Sequence, residues 1–256
     1  MQLIDSHTHL YLPEFDYDRD EVIKRAVNQD VTKMLLPNID RASLEPMLRM
    51  SVDYPGICFP MIGVHPTSIK EDFKEHLKAV HDNLHKYKFI AIGEIGIDLY
   101  WDKTYIREQE EAFREQIKIA GREKLPVVIH TRESHDLVLK LLDDANIPGL
   151  RGVFHAFTGD QRQAGEIIER GFLIGIGGIL TFRNSSLDKT LEMIDPENII
   201  LETDSPFLAP VPKRGKRNES SYLRYIAEKL SEIKKLPLEE IAEISTSNCN
   251  NLFKLD

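Results

Sequence analysis

Short apolar runs recur along the chain, separated by polar stretches whose periodicity is helical. Eight runs read as strands: LIDSH, VTKMLLPN, CFPMIGVHP, KFIAIGEIG, LPVVIHTR, LRGVFHAF, GFLIGIGG and NIILETDSP. They begin at intervals of roughly 20 to 35 residues, room for a crossover helix between parallel strands. In DRDEVIKRAVNQ, Val22, Ile23, Ala26 and Val27 lie on one face behind an acidic first turn, which predicts a helix. RASLEPMLRMSVDY, FKEHLKAVHDNLHKY, IREQEEAFREQIKIAGREK, SHDLVLKLLDDA, DQRQAGEIIERG and SSLDKTLEMI fill the next gaps. NESSYLRYIAEKLSEIKK and PLEEIAEISTSNCNNLFKL follow the last strand.

Strands and helices alternating in this number predict an α/β fold, a (β/α)8 TIM barrel, with residues 1–256 as a single domain. The competing arrangement is an open doubly wound sheet. That fold brings a Gly-rich phosphate loop after its first strand, where this chain has His-Thr-His-Leu. GIGGIL lies after the seventh strand, lacks the G-x-G-x-x-G spacing, and reads as close backbone approach.

Composition narrows the class. With 41% hydrophobic and 29% charged residues the chain reads as an ordinary soluble globular protein. The net charge of −9 argues against a protein that coats nucleic acid electrostatically. It leaves room for an enzyme that grips a few phosphates in one local pocket. Cys58 and Cys249 sit in no CxxC pattern and read as core residues in a reducing compartment. There is no basic-then-apolar leader and no apolar stretch near the roughly 20 residues of a spanning helix. The expected location is the cytoplasm, away from membranes.

The ends of the strands carry the candidate chemistry. His7 and His9 close the first run one residue apart and face the same way if the run is extended. His65 closes the third, Glu94 the fourth, His130 the fifth, His155 the sixth and Asp204 the eighth. Barrel enzymes work at the C-terminal ends of their strands, so closure would gather these groups around one mouth. Parity agrees: Ile90, Ile92 and Glu94 share a face, as do Val128 and His130, Val153 and His155, and Ile200, Glu202 and Asp204. Imidazoles mixed with carboxylates suit Zn²⁺, Mn²⁺, Co²⁺ or Fe²⁺ better than Mg²⁺. Glu202 reads either as a partner orienting a ligand imidazole or as a buried carboxylate satisfied by a neighbouring strand.

Further groups are candidates for substrate contact. PVPKRGKRNE puts Lys213, Arg214, Lys216 and Arg217 in one loop, and Arg132 follows His130; all five are candidate phosphate contacts. Tyr100 and Trp101 follow GEIGID, either to stack on an unpaired base or to pack as a lid. His81 and His85 lie four apart on a helix without a third ligand and read as a solvated face. His135 opens the helix after the fifth strand, within reach of the mouth but outside the expected ring.

Taken together, DSHTHL, GVHP, GEIGID, VVIHTR, FHAFTG and LETDSPFLAP…KRGKRNE resemble the TatD family of metal-dependent deoxyribonucleases, within the amidohydrolase-like barrel superfamily. The match runs in order over effectively the whole chain. The resemblance implies a (β/α)8 fold and a site for one or two divalent ions, with Zn, Mn, Mg and Co as the candidates. It implies hydrolysis of phosphodiester bonds in DNA, from the 3′ end of single strands, with RNA as a further substrate. Carried over by motif, His7, His9 and Asp204 would hold one metal, and Glu94 would bridge to a second held by His130 and His155. His65 would face substrate near the first metal. Asp204 would also orient the attacking water and collect its proton. In one departure, Thr67 stands where the family often has a second histidine, which bears on substrate contact rather than on the metals. Two ions about 3.5–4 Å apart activate water and stabilise both the attacking and the leaving oxygen. The same metals polarise a carbonyl, so a small ester, lactone or amide is the competing substrate. A non-catalytic barrel is the third reading, disfavoured because every expected ligand is present. No partner protein is demanded, and a monomer is expected.

Overall fold

All eight apolar runs form strands, and every pairing between them in the computed structural model, which describes residues 1–255, is parallel. The chain begins β1 (Leu3–Asp5), α1 (Arg19–Asn28), β2 (Val31–Pro37), α2 (Leu44–Asp53), β3 (Cys58–Met61), α3 (Phe73–Asn83), β4 (Ile92–Asp98) and α4 (Ile106–Glu123). It continues β5 (Val127–Arg132), α5 (His135–Ala145), β6 (Gly152–Phe154), α6 (Gln161–Glu169), β7 (Leu173–Ile176), α7 (Leu187–Glu192) and β8 (Ile199–Leu201). Two helices follow, α8 (Leu223–Lys234) and α9 (Leu238–Phe253).

Strands β1 to β3 form one ladder and β4 to β8 another. Two seams join them into a barrel. At the first, Ile62 N donates to Ala91 O at 3.1 Å and Gly93 N to Ile62 O at 2.9 Å. At the second, Ser6 N donates to Leu201 O at 3.1 Å, Asp204 N to His7 O at 2.9 Å and His9 N to Ser205 O at 2.8 Å. Closure leaves no open sheet edge.

Alternation along the strands sorts side chains into two layers. Ile4, Leu35, Met61, Val128, Val153 and Ile200 fill the interior, and Cys249, Leu252 and Phe253 of α9 join them, so α9 plugs the end away from the histidines. Their neighbours Leu3, Met34, Ile129, Phe154, Ile174 and Leu201 face the helices. Among the described residues no helix is long and apolar enough to cross a membrane.

Two expectations change. Ile92 does not share the inward row with Ile90 but packs outward against the helices. The register of β4 against β5 slips between Ile92 and Ile95, which resets the phase so that Glu94 turns inward while Ile95 and Ile97 face out. The helical stretch read from Asn218 begins only at Leu223. Asn218 Nδ2 donates to Thr203 O (2.7 Å) and Phe207 O (2.6 Å), and Glu219 takes the Arg25 guanidinium at 2.7 Å. These side-chain bonds hold the preceding residues out of the helix. GIGGIL behaves as read: a Cβ on Gly178 would run into Leu208 O, and one on Gly175 into Glu202 Oε2.

Asp5, at the end of β1, accepts from Thr203 N at 2.9 Å and Thr203 Oγ1 at 2.6 Å. Burial pushes its carboxyl up from 3.8 to about 7 against these bonds and one from Ser220. The folded chain therefore keeps a proton that the unfolded chain releases. Below pH 4 both states are protonated and the group contributes nothing. Between pH 4 and 7 the unfolded state ionises first, so stability falls as pH rises, by at most about 4 kcal/mol. Asp5→Asn is expected to flatten this slope, measured as urea midpoints at pH 5 and 7.5 on chelator-treated protein.

Candidate metal centre

The groups at the strand ends converge on Glu94, which is 2% exposed. Its Oε1 lies 2.7 Å from His155 Nε2, 3.0 Å from His130 Nδ1 and 3.1 Å from His65 Nε2. Its Oε2 lies 3.1 Å from His7 Nε2 and 3.7 Å from His9 Nε2. Asp204 closes the ring, with Oδ1 at 3.5 Å from His9 Nε2 and 3.8 Å from His7 Nε2. Its φ of 54° is a left-handed conformation that aspartate tolerates better than most residues.

His65 differs from expectation. The resemblance puts it near the first metal, beside His7 and His9; the structure puts it on the other oxygen of Glu94, with Nε2 3.3 Å from His130 Nδ1. Pro66 after it starts a short turn in which Thr67 N donates to His65 Nδ1 at 3.1 Å. That bond fixes Nδ1 as an acceptor and aims Nε2 at Glu94.

Tautomers follow from the outer partners. Tyr11, whose hydroxyl burial and Glu94 keep protonated, donates to Pro37 O at 2.5 Å and so accepts from His9 Nδ1 at 2.8 Å. The His9 Nε2 lone pair is left facing the centre. His130 Nε2–H donates to Asp98 Oδ2 at 2.9 Å, which leaves the His130 Nδ1 lone pair facing the Glu94 carboxylate. Lone pair against carboxylate is repulsive unless a cation or a proton stands between them. Without a metal, protons do this. Burial disfavours charge on His155 and His130, yet Glu94 and, for His130, Asp98 raise both above the ordinary histidine value. Burial likewise opposes ionised Glu94, yet His155, His65 and His7 hold its carboxyl well below the usual range. Burial and His155 lower His7, whose Nδ1 has no partner. Such a donor set fits divalent cations.

Asp98 and Tyr11 lie outside the ring expected from the sequence, although parity marks both. Asp98 shares the phase of Glu94 in GEIGID, and Tyr11 that of His7 and His9 in HTHLY. Glu202 sits beneath the ring, with Oε1 accepting from Ala156 N at 2.5 Å and lying 3.5 Å from His155 Nδ1. Its Oε1 is thus bonded to the backbone of the turn after β6 and faces an imidazole.

The rim divides the proposed phosphate contacts. Arg217 is committed elsewhere: its guanidinium clamps Asp18 at 2.7 and 2.8 Å and bonds Glu14 O at 2.5 Å, so it braces the loop against α1 rather than waiting for an anion. Lys213 Nζ lies 5.2 Å over the Tyr222 ring, Arg214 3.9 Å over Phe182, and Lys216 is exposed. Arg132 lies 3.9 Å over the Tyr100 ring, and Tyr100 and Trp101 are 52% and 68% exposed, so this pair is not a packed lid. His81 and His85 are exposed and face Glu115 and Glu123 of α4. His135 turns to Glu166 of α6, 3.3 Å away, and Glu166 is also held by Arg162 at 2.6 Å.

A family model described as TatD related DNase matches residues 4–254. An uncharacterized metal-dependent hydrolase of Bacillus subtilis, YabD, is 36% identical over 99% of this chain and 100% of its own length. The 3′-5′ ssDNA/RNA exonuclease TatD of Salmonella typhimurium is 31% identical over 99% of both chains. Among solved structures, YjjV, a TatD homolog from Escherichia coli, superposes with a TM-score of 0.93 at 29% identity, covering 98% of each chain.

Proposed function

This chain belongs to the family of TatD-related DNases, which makes it a metal-dependent hydrolase, and from that premise we propose that it cuts phosphodiester bonds in DNA, removing nucleotides from the 3′ ends of single strands. The observation that carries the reading is a single carboxylate, Glu94, with imidazoles ranged around both of its oxygens. His7, His9 and Asp204 would hold one ion. His130 and His155 would hold a second, and His65, whose Nε2–H points at Glu94 Oε1, would stand beside it toward the substrate. Glu94 would lie between them. Bound there, divalent ions supply Lewis acidity and lower the pKa of water. Imidazole-rich ligation favours Zn²⁺, Mn²⁺ or Co²⁺ over Mg²⁺.

The chain's own groups do the rest. Two carboxylates against two dications leave net positive charge to receive a phosphodiester anion. Asp204, at 15% side-chain exposure, is open to the mouth and placed to take the proton of the attacking water. Burial would raise its carboxyl, but His9 and His7 keep it below the ordinary value, so it is ionised at neutral pH. Arg132, Lys213 and Arg214 supply local positive charge for the substrate backbone in an otherwise acidic protein. RNA is a second substrate in this reading, as the name of the Salmonella relative suggests. Cys58 and Cys249 are free and buried, which suits a cytoplasmic protein. We take residues 1–256 to act as one domain and as a monomer.

The test is metal-loaded protein on 5′-labelled single-stranded DNA. A ladder shortening from the 3′ end with release of mononucleotides is expected with Mn²⁺, Co²⁺ or Zn²⁺. No release with any of these or with Mg²⁺, alongside turnover of a lactone or amide panel, would transfer the chemistry to a carbonyl substrate. The partner of His130 gives a second expectation. Asp98→Asn removes the carboxylate that fixes the ring, and metal affinity measured by chelator competition should fall about 10- to 100-fold.

A further inference from the structure

We propose that Tyr100, Trp101 and Arg132 form a stacking platform for an unpaired base at the rim of the centre, and that this platform sets the preference for single-stranded nucleotide ends. The inference rests on the nuclease reading above. β4 and β5 run on together past the ligands, with Leu99 N donating to Arg132 O at 2.9 Å. The chain then turns, and Tyr100 N and Trp101 N both donate to Asp98 Oδ1, at 2.9 and 3.1 Å. The other oxygen of the same carboxylate holds His130. One side chain thus fixes the two aromatic residues relative to the hydrolytic centre.

The two rings meet edge to face, with centroids 5.0 Å apart and planes at 87°, and both stand in solvent. Two adjacent large rings left exposed forgo burial that a lid would have gained. The Arg132 guanidinium lies 3.9 Å from the Tyr100 centroid and 5.3 Å from that of Trp101. Among the described residues no carboxylate pairs with it, in contrast with Arg25 and Arg217. An unpaired cation stacked on exposed rings offers a flat π surface and a positive charge together. A nucleotide presents the complement, a base face and an adjoining phosphate. Arg132 covers Tyr100, so Trp101, the more exposed ring, offers its face to the base. A base within a duplex has both faces stacked and cannot lie there without leaving the helix. Discrimination therefore favours an unpaired end.

The chain has a single tryptophan, so its emission reports on this position alone. Oligothymidylate added to chelated protein is expected to quench that emission, whereas an abasic oligomer with the same number of phosphates is not. In the metal-loaded enzyme, kcat/KM for a thymidine 3′ end should exceed that for an abasic 3′ end by about 10- to 100-fold. Trp101→Ala should bring the ratio close to one by raising KM, and Trp101→Phe should restore most of it. A wild-type ratio near one, or a ratio undiminished in Trp101→Ala, overturns the platform while leaving the nuclease reading intact. Failure of the wild type to hydrolyse any oligonucleotide brings down both.

Discussion

Glu94→Gln is expected to lower hydrolysis by about three orders of magnitude or more, with the barrel still folded. The substitution keeps shape and removes one charge at the point where the imidazoles converge. Loss of one preorganised electrostatic element commonly costs 10²- to 10³-fold in kcat, and here the same element would also join the two halves of the metal site. His155 and His130 owe much of their raised affinity for protons to this carboxylate, as a cation held there would. A readout independent of turnover is thermal. A metal present at a hundred times its Kd stabilises the folded state by about 2.7 kcal/mol. Wild-type protein should show this shift in its melting temperature, and Glu94→Gln should show little of it. A variant that binds two equivalents of metal by equilibrium dialysis and cuts DNA at the wild-type rate would rule out the centre as described.

Asp204→Asn should separate chemistry from metal binding. An amide can still ligate weakly through its oxygen, but it cannot take a proton from water. The cost expected for losing a positioned general base is about 10²- to 10⁴-fold in kcat. KM should change little, because the groups facing the substrate phosphates are untouched. Ions on the Oε1 side of Glu94, where His65, His130 and His155 gather, should remain. Single-turnover rates with saturating enzyme give the decisive comparison. A chemical step within tenfold of wild type would remove Asp204 from the role of base.

Local pattern carried the architecture because strand and helix periodicities are set by backbone geometry, which each run expresses alone. It failed at Ile92 because a register slip is decided by the partner strand: nothing within KFIAIGEIG shows that β5 will shift the phase before Glu94. Pattern placed His65 at the mouth, and the resemblance set it beside His7 and His9; the turn at Pro66 brings it instead to the other oxygen of Glu94, because position around a barrel mouth depends on how the chain leaves the strand. Arg217 read as a free cation because its partner Asp18 is remote in sequence and becomes a neighbour only when the loop after β8 folds against α1. Asp98 and Tyr11 were legible in principle. Asp98 lies two steps of alternation beyond Glu94, and Tyr11 one step beyond His9, on the same faces as those residues.

The second seam of the barrel has a consequence for biosynthesis. The backbone of His7 and His9 bonds directly to Asp204 and Ser205, so the earliest and the last of the proposed ligands meet only when the ring shuts. A nascent polypeptide still on the ribosome lacks the group that would accept the proton of water until β8 and the residues just after it have emerged. In the nuclease reading, a product that stops before Asp204 would lack that group, and the proposed centre would form in the same event that closes the barrel.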